Sequence, residues 1–175
     1  LEDKRLAKIT ATREIYAKCV LFDYSYKFFY EDGYGKESLI LNMNGVAYEH
    51  EENARKYFTA CLLSFYQQLW LWSNNHDQLI DYNIEKPLWV FVGNSVSGEE
   101  SDILEVVNFL SYFLNNDATI KTWIADFIAD RAQILDASGN NIFKGRFTPL
   151  MSYMDQIDTL YRDILVRVFN STSKQ

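Results

Sequence analysis

A chain of 175 residues with 48% apolar and 16% aromatic content carries enough hydrophobic side chain for one domain, or one compact domain with an arm. Seven glycines and two prolines exclude a low-complexity chain, and no apolar run reaches the length of a transmembrane helix. The net charge of −7, from 17 basic and 24 acidic side chains, excludes strong nonspecific nucleic-acid binding by the chain alone, because phosphate contacts need clustered lysine and arginine. Local basic spots are confined to Lys4, Arg5 and Lys8, and to Lys144 with Arg146. Cys19 and Cys61 lie inside apolar stretches and read as reduced, buried thiols of a cytoplasmic protein rather than a disulfide framework. The first residues, Leu-Glu-Asp-Lys-Arg, are not a signal peptide, and the absence of a leading Met suggests a piece of something longer.

Residues 1–17 are charged with scattered apolar positions, and read as a short helix or arm. The aromatic stretch that follows alternates at Phe22, Tyr24, Tyr26 and Phe28, as a strand would. Its punctuation fits another parse better: a short strand over Cys19–Phe22, an N-cap at Ser25, two helical turns over 26–32, and Gly33 as the left-handed residue that ends them. Ser38 to Met43 reads as a further strand. Glu51, Glu52 and Asn53 suit a helix N-terminus. Ala54, Tyr57, Phe58, Cys61, Leu62, Phe65, Leu69 and Trp72 then recur at spacings of three and four, which predicts a long amphipathic helix ending near Asn74. Residues 74–86 form a polar connector and the best internal boundary.

Leu88 to Val92 is a continuous apolar run rich in aromatic and β-branched residues, the pattern of a strand buried on both faces in a parallel sheet. Pro87 fits only at its start. Gly93, Asn94 and Ser95 open a polar turn, and Ser97 with Glu100 has capping-box spacing before a helix. A loop at the carboxyl end of such a strand is where open α/β sheets bind ligands, and its amides could hold an anion at a helix N-terminus. Beyond it, Ile103, Val106, Val107, Leu110 and Phe113 mark one helix face, broken at Asn115-Asn116-Asp117. Thr119 caps a second helix with Ile120, Trp123, Ile124, Phe127 and Ile128 inward. Asp136 to Asn141 is a turn. Thr148-Pro149 opens a last helix carrying Met154, Ile157, Leu160, Ile164, Leu165 and Val168.

Most patterns that suggest chemistry dissolve on inspection. Gly35-Lys36-Glu37-Ser38 has Tyr30 where a phosphate-binding loop needs glycine, and Glu37 where it needs a hydroxyl. Asp136, Ser138 and Asn140 resemble the start of a calcium loop, but Asn141 replaces its glycine and Phe147 its bidentate glutamate. Asp126 and Asp130 share a helix face and could meet a cation, though a solvated charged face is the commoner meaning. His50 and His76 lack partners at zinc spacing, and no serine lies in a nucleophile-elbow pattern. No catalytic or metal residue is therefore assigned.

Two stretches, Phe22-Asp-Tyr-Ser-Tyr-Lys-Phe-Phe-Tyr-Glu-Asp-Gly-Tyr-Gly-Lys36 and Glu85-Lys-Pro-Leu-Trp-Val-Phe-Val-Gly93 with Ile142-Phe-Lys-Gly-Arg-Phe147, resemble superfamily 2 DEAD/DEAH-type helicases. The first is similar to the segment after their third motif, and the second to the motif IV region. The likeness is nearest to the Res (restriction and translocation) subunit of type III restriction enzymes. It implies an α/β fold: a helix-rich, partial RecA-like lobe with a short, mostly parallel sheet and about four substantial helices. Residues 1–83 would close a first RecA-like lobe and link it to a second, and residues 84–175 would open that second lobe with a helical insertion. The chain would be an internal fragment of a bacterial ATP-dependent DNA helicase or translocase. Gly93, Asn94 and Ser95 would touch nucleic-acid backbone, with Lys144 and Arg146 as phosphate contacts. DNA, the rest of the helicase polypeptide and a modification subunit would be its partners, with ATP and Mg²⁺ as the parent's cofactors. The chain departs from the pattern in lacking the phosphate cradle, the metal carboxylate and the arginine that phosphoryl transfer requires, so it should be inactive alone. The alternative expectation is a small non-enzymatic binding module for a protein or an anionic ligand, using the 93–97 loop and the aromatic helix 51–73.

Overall fold

The computed structural model describes residues 2–18, 24–35, 40–45, 50–92 and 102–170. They form two compact units, Leu1–Ile40 and Leu41–Gln175. Residues 19–22 and 93–97, which carry an expected strand and an expected loop site, lie outside the described residues.

The first unit holds α1 (Glu2–Ala17) and α2 (Tyr26–Glu31). Every residue of α1 from Ala7 onward is exposed, as expected for a helix without an apolar stripe. Ser25 occupies the N-cap position of α2, but its side chain makes no capping bond. Gly33, with φ of +84°, ends the helix: its N–H donates to the Tyr30 carbonyl and that of Tyr34 to the Phe29 carbonyl. That pair of bonds is a Schellman motif, and it needs a residue that tolerates left-handed backbone.

The second unit is built around α3 (Glu51–Asn74), continued by the short α4 (His76–Leu79) and a 3₁₀ turn over Ile80–Tyr82. Glu51 and Glu52 sit on the positive end of the α3 dipole and pair with Arg55 and Lys56 one turn on. Against α3 pack α5 (Asp102–Asn115), α6 (Asp117–Ile128) and α7 (Ile157–Phe169). A 3₁₀ segment, Thr148–Tyr153, precedes α7 and begins on the expected Thr148-Pro149. It stops at Tyr153, so the last helix expected from Thr148 is in fact two pieces.

The core joins Leu62, Leu63 and Tyr66 of α3 to Phe109 and Phe113 of α5, Ile120, Ile124 and Phe127 of α6, and Leu160 and Ile164 of α7. Rings supply much of the contact. Phe113 stacks at 5.5 Å on Tyr161 and at 5.7 Å on Phe169, while Phe143 and Phe147 stack at 6.1 Å and meet Phe127 edge-on. Each ring adds roughly 0.5–1.5 kcal/mol of geometry-specific attraction to its area burial. Two phenols drawn in with the rings find partners, while Gln67 Oε1 and Arg146 Nε are buried without one among the described residues. Tyr66 donates to Asp163 at 2.6 Å, and Tyr161 donates to the Phe113 carbonyl at 2.9 Å. Burial first, and then the Asp163 carboxylate, push the Tyr66 phenol well above its ordinary range. Lys121 bridges Asp117 and Asp158, at 2.9 and 2.7 Å, and so ties α6 to α7.

The expected parallel sheet is corrected by this arrangement. Among the described residues there is no strand, and the sole ladder contact is an isolated antiparallel bridge between Leu135 and Asn141. Leu88–Val92 is assigned to no strand, and nothing described pairs with it. Nor is it buried on both faces: Leu88 is 83% exposed and Val92 92%. Ile40 to Met43, the described end of the other expected strand, also lacks a ladder. The physical reason lies in the helices. Their apolar arcs are wide enough to cover one another, so the core closes helix on helix without a sheet to pack against. No helix among the described residues is long and apolar enough to cross a membrane.

Candidate functional site

A cleft of about 540 Å³ opens beside Trp123, within the size range of small-molecule sites. Four parts of the second unit form it: residues 43–44, the first turns of α3, one face of α6, and the segment after α6. Trp123 and Phe127 reach it because α6 carries its apolar residues at spacings of three and four, and Asp126 lies between them on the open side. Met43 and Ile134 complete the apolar lining.

The segment after α6 is shaped by its helix end. Asp130 adopts φ of +55°, and the N–H groups of Arg131 and Ala132 both donate to the Asp126 carbonyl, at 2.8 and 3.1 Å. The chain therefore turns sharply and runs back along the cleft. Asn141 holds it there: its amide donates to the Ala132 carbonyl at 3.2 Å, and its oxygen accepts from the Ile134 N–H at 3.4 Å. On the other side the Asn44 N–H donates to the Leu135 carbonyl at 2.9 Å. Residues separated by some ninety positions thus share one wall.

Charge sits at the rim. Lys56 pairs with Glu52 at 2.6 Å, and its ammonium stands 5.6 Å from the Trp123 ring centre. Arg131 Nε donates to Asp126 Oδ1 at 2.9 Å. The cleft is therefore edged by two ion pairs, Lys56 with Glu52 and Arg131 with Asp126, in which each cation is matched by a carboxylate. The described lining includes no serine, cysteine or histidine, and the Thr122 hydroxyl is taken up by the Ala118 carbonyl at 3.0 Å. What the arrangement offers is an apolar wall edged by two ion pairs, a combination suited to holding a molecule.

The residues singled out in the sequence do not converge. Gly93, Asn94 and Ser95 are outside the described residues. Lys144 is exposed, whereas Arg146 turns inward: its Nε is buried without a hydrogen-bond partner, and its charge acts on the Cys61 thiol. Asp126 and Asp130 do not form a cation site, because Asp126 is bound to Arg131 and Asp130 accepts from the Gly145 N–H at 2.8 and 3.0 Å. Asp136 closes its own turn, accepting from the Ser138 and Asn140 N–H groups. His76 rests on Trp72, with ring centres 4.6 Å apart. Among the described residues no group of three potential ligands could hold a metal ion. The cleft escaped the sequence reading because Met43, Lys56, Trp123 and Ile134 share no spacing rule; the nearest signal was the inward face of α6.

Compared with protein-family models, curated proteins and solved structures, the chain matches none of them.

Proposed function

We propose that this chain is a helical binding module, without catalytic chemistry of its own, that takes a small anionic molecule with an aromatic or apolar body in the cleft beside Trp123. The observation that carries this reading is the combination in one cleft of about 540 Å³ of an aromatic side, Trp123 and Phe127, with two cationic side chains, Lys56 and Arg131, whose carboxylate partners a ligand anion would have to displace. A ligand body would stack on Trp123 while its anionic group lay between Lys56 and Arg131. The reading favours the binding-module alternative over a helicase fragment. A RecA-like lobe is organised on a parallel sheet, which the described residues lack.

The test is a thermal-shift and NMR screen of aromatic carboxylates and phosphates, run on the chain and on Lys56→Glu and Arg131→Glu variants. Both positions are at the surface end of the cleft, so each variant should fold. We expect compounds that raise the melting temperature and perturb the Trp123 indole resonance, with affinity falling at least tenfold in either variant. No binder, or binders indifferent to both substitutions, would remove this reading. DNA-stimulated ATP hydrolysis by a longer stretch of the native reading frame would return the helicase fragment in its place.

A further inference from the structure

Glu85 to Val92 combines features that seldom occur together. It belongs to no helix, and none of its backbone N–H or C=O groups is hydrogen-bonded among the described residues. Free backbone groups on an extended segment are a template for a further strand. The side chains alternate as a strand's do. Trp89 points to the core, where its ring lies 5.4 Å from Phe65 and 4.5 Å from Phe91. Leu88, Val90 and Val92 point away, at 83%, 64% and 92% exposure. The inward anchor holds the segment against α3, and the outward side chains are exposed among the described residues.

The sequence of the run points to its occupant. Read in both directions from Val90, it pairs like with like: Trp89 with Phe91, and Leu88 with Val92. An antiparallel partner of the same sequence, with Val90 opposite Val90, would set aromatic against aromatic on one face and aliphatic against aliphatic on the other. Those are the favoured cross-strand pairs. No charged residue lies between Pro87 and Val92, so the pairing carries no like-charge penalty in a chain that otherwise repels itself. Ile80, Tyr82 and Ile84, all exposed, precede the run. Together these side chains offer several hundred Å² per copy, on the scale of the ~800 Å² per partner of a standard interface.

We propose that Leu88–Val92 is a self-association strand, pairing antiparallel with the same segment of a second copy about a two-fold axis at Val90. This inference is independent of the ligand cleft and would survive its failure.

Sedimentation velocity of the full chain from about 1 to 200 μM reads the association directly. We expect a monomer–dimer equilibrium in that range. Val90→Glu sets two carboxylates face to face across the axis and should weaken the dimer at least tenfold, whereas Val90→Thr should retain it. Far-UV circular dichroism confirms that each variant keeps its helices. Register is tested by oxidative cross-linking. A mixture of Leu88→Cys and Val92→Cys chains should give the mixed disulfide in preference to either like pair, with the unsubstituted chain as control for the native cysteines. A chain monomeric throughout the range would leave the strand to a different partner and overturn the proposal. So would a dimer indifferent to Val90→Glu, or cross-linking without preference for the mixed pair.

Discussion

Cys61 shows how one residue reports on the core. It lies on α3 within hydrogen-bonding reach of Tyr57, and burial pushes its thiol up from 9.0 to about 11 against the smaller opposing pulls of Tyr57 and Arg146. Tyr57 is itself pushed up to about 12, chiefly by burial. Because the folded-state value is the higher one, the stabilising effect of keeping the thiol neutral is complete below pH 9. It is lost as pH rises from 9 towards 11. In a Cys19→Ser background, alkylation of Cys61 at pH 8 should therefore run roughly a hundredfold slower in the native protein than in urea, as measured by mass spectrometry. The expectation of a buried, reduced thiol at Cys61 came from its apolar neighbours alone. The conformation of Gly33 was equally readable, since a glycine after a short helical stretch has few other uses. Arg146 was not readable. Its Nε is buried although the residue lies between exposed Lys144 and Thr148, which no local pattern announces.

Among the elements, α3 was legible in bounds and type, whereas α6 was legible in type only: Thr119, expected as its cap, lies inside a helix that begins at Asp117 after an N-cap at Asn116. The buried set of α3 was only half legible. Leu63 and Tyr66 lie off the stripe that ran from Ala54 to Trp72, yet both are fully buried, because a helix surrounded by three others hides more than one face. Helix α5 failed in the opposite way. Of the face expected to be inward, Ile103 and Val107 are about half exposed while Phe113 is buried, and Phe109, which was not on that face, is buried too. The run 88–92 was expected as a strand buried on both faces and is neither paired nor buried among the described residues, because an apolar run implies burial only when a neighbour covers it. Connections between elements hang on a few polar clamps, of which Asp130 is the clearest. Its carboxylate accepts from the Gly145 N–H, and both residues hold left-handed backbone, at φ of +55° and +66°. Asp130→Ala would delete the clamp and place alanine in a disfavoured conformation. We expect a loss of about 1–3 kcal/mol by urea unfolding, whereas Asp130→Gly, which relieves the backbone, should cost less.

For the molecule as a whole, the order of the core along the chain has a consequence for its synthesis. Helix α3 leaves the ribosome well before the helices that cover it, and its last partner, α7, ends at Phe169. Until then Leu62, Leu63 and Tyr66 face water, although they end fully buried. Synthesis at about 5–20 residues per second makes that interval several seconds, long enough for a chaperone that binds apolar helices to engage the nascent chain. A chain ending at Gln156 keeps α3, α5 and α6 but lacks Leu160, Tyr161 and Ile164, which seal them. It should show helix by circular dichroism, bind a hydrophobic dye, and lack a cooperative melting transition. A cooperative transition in that truncated chain would mean that the three earlier helices hold together unaided. Otherwise the nascent protein stays in the keeping of its chaperones until almost the last described helix has emerged.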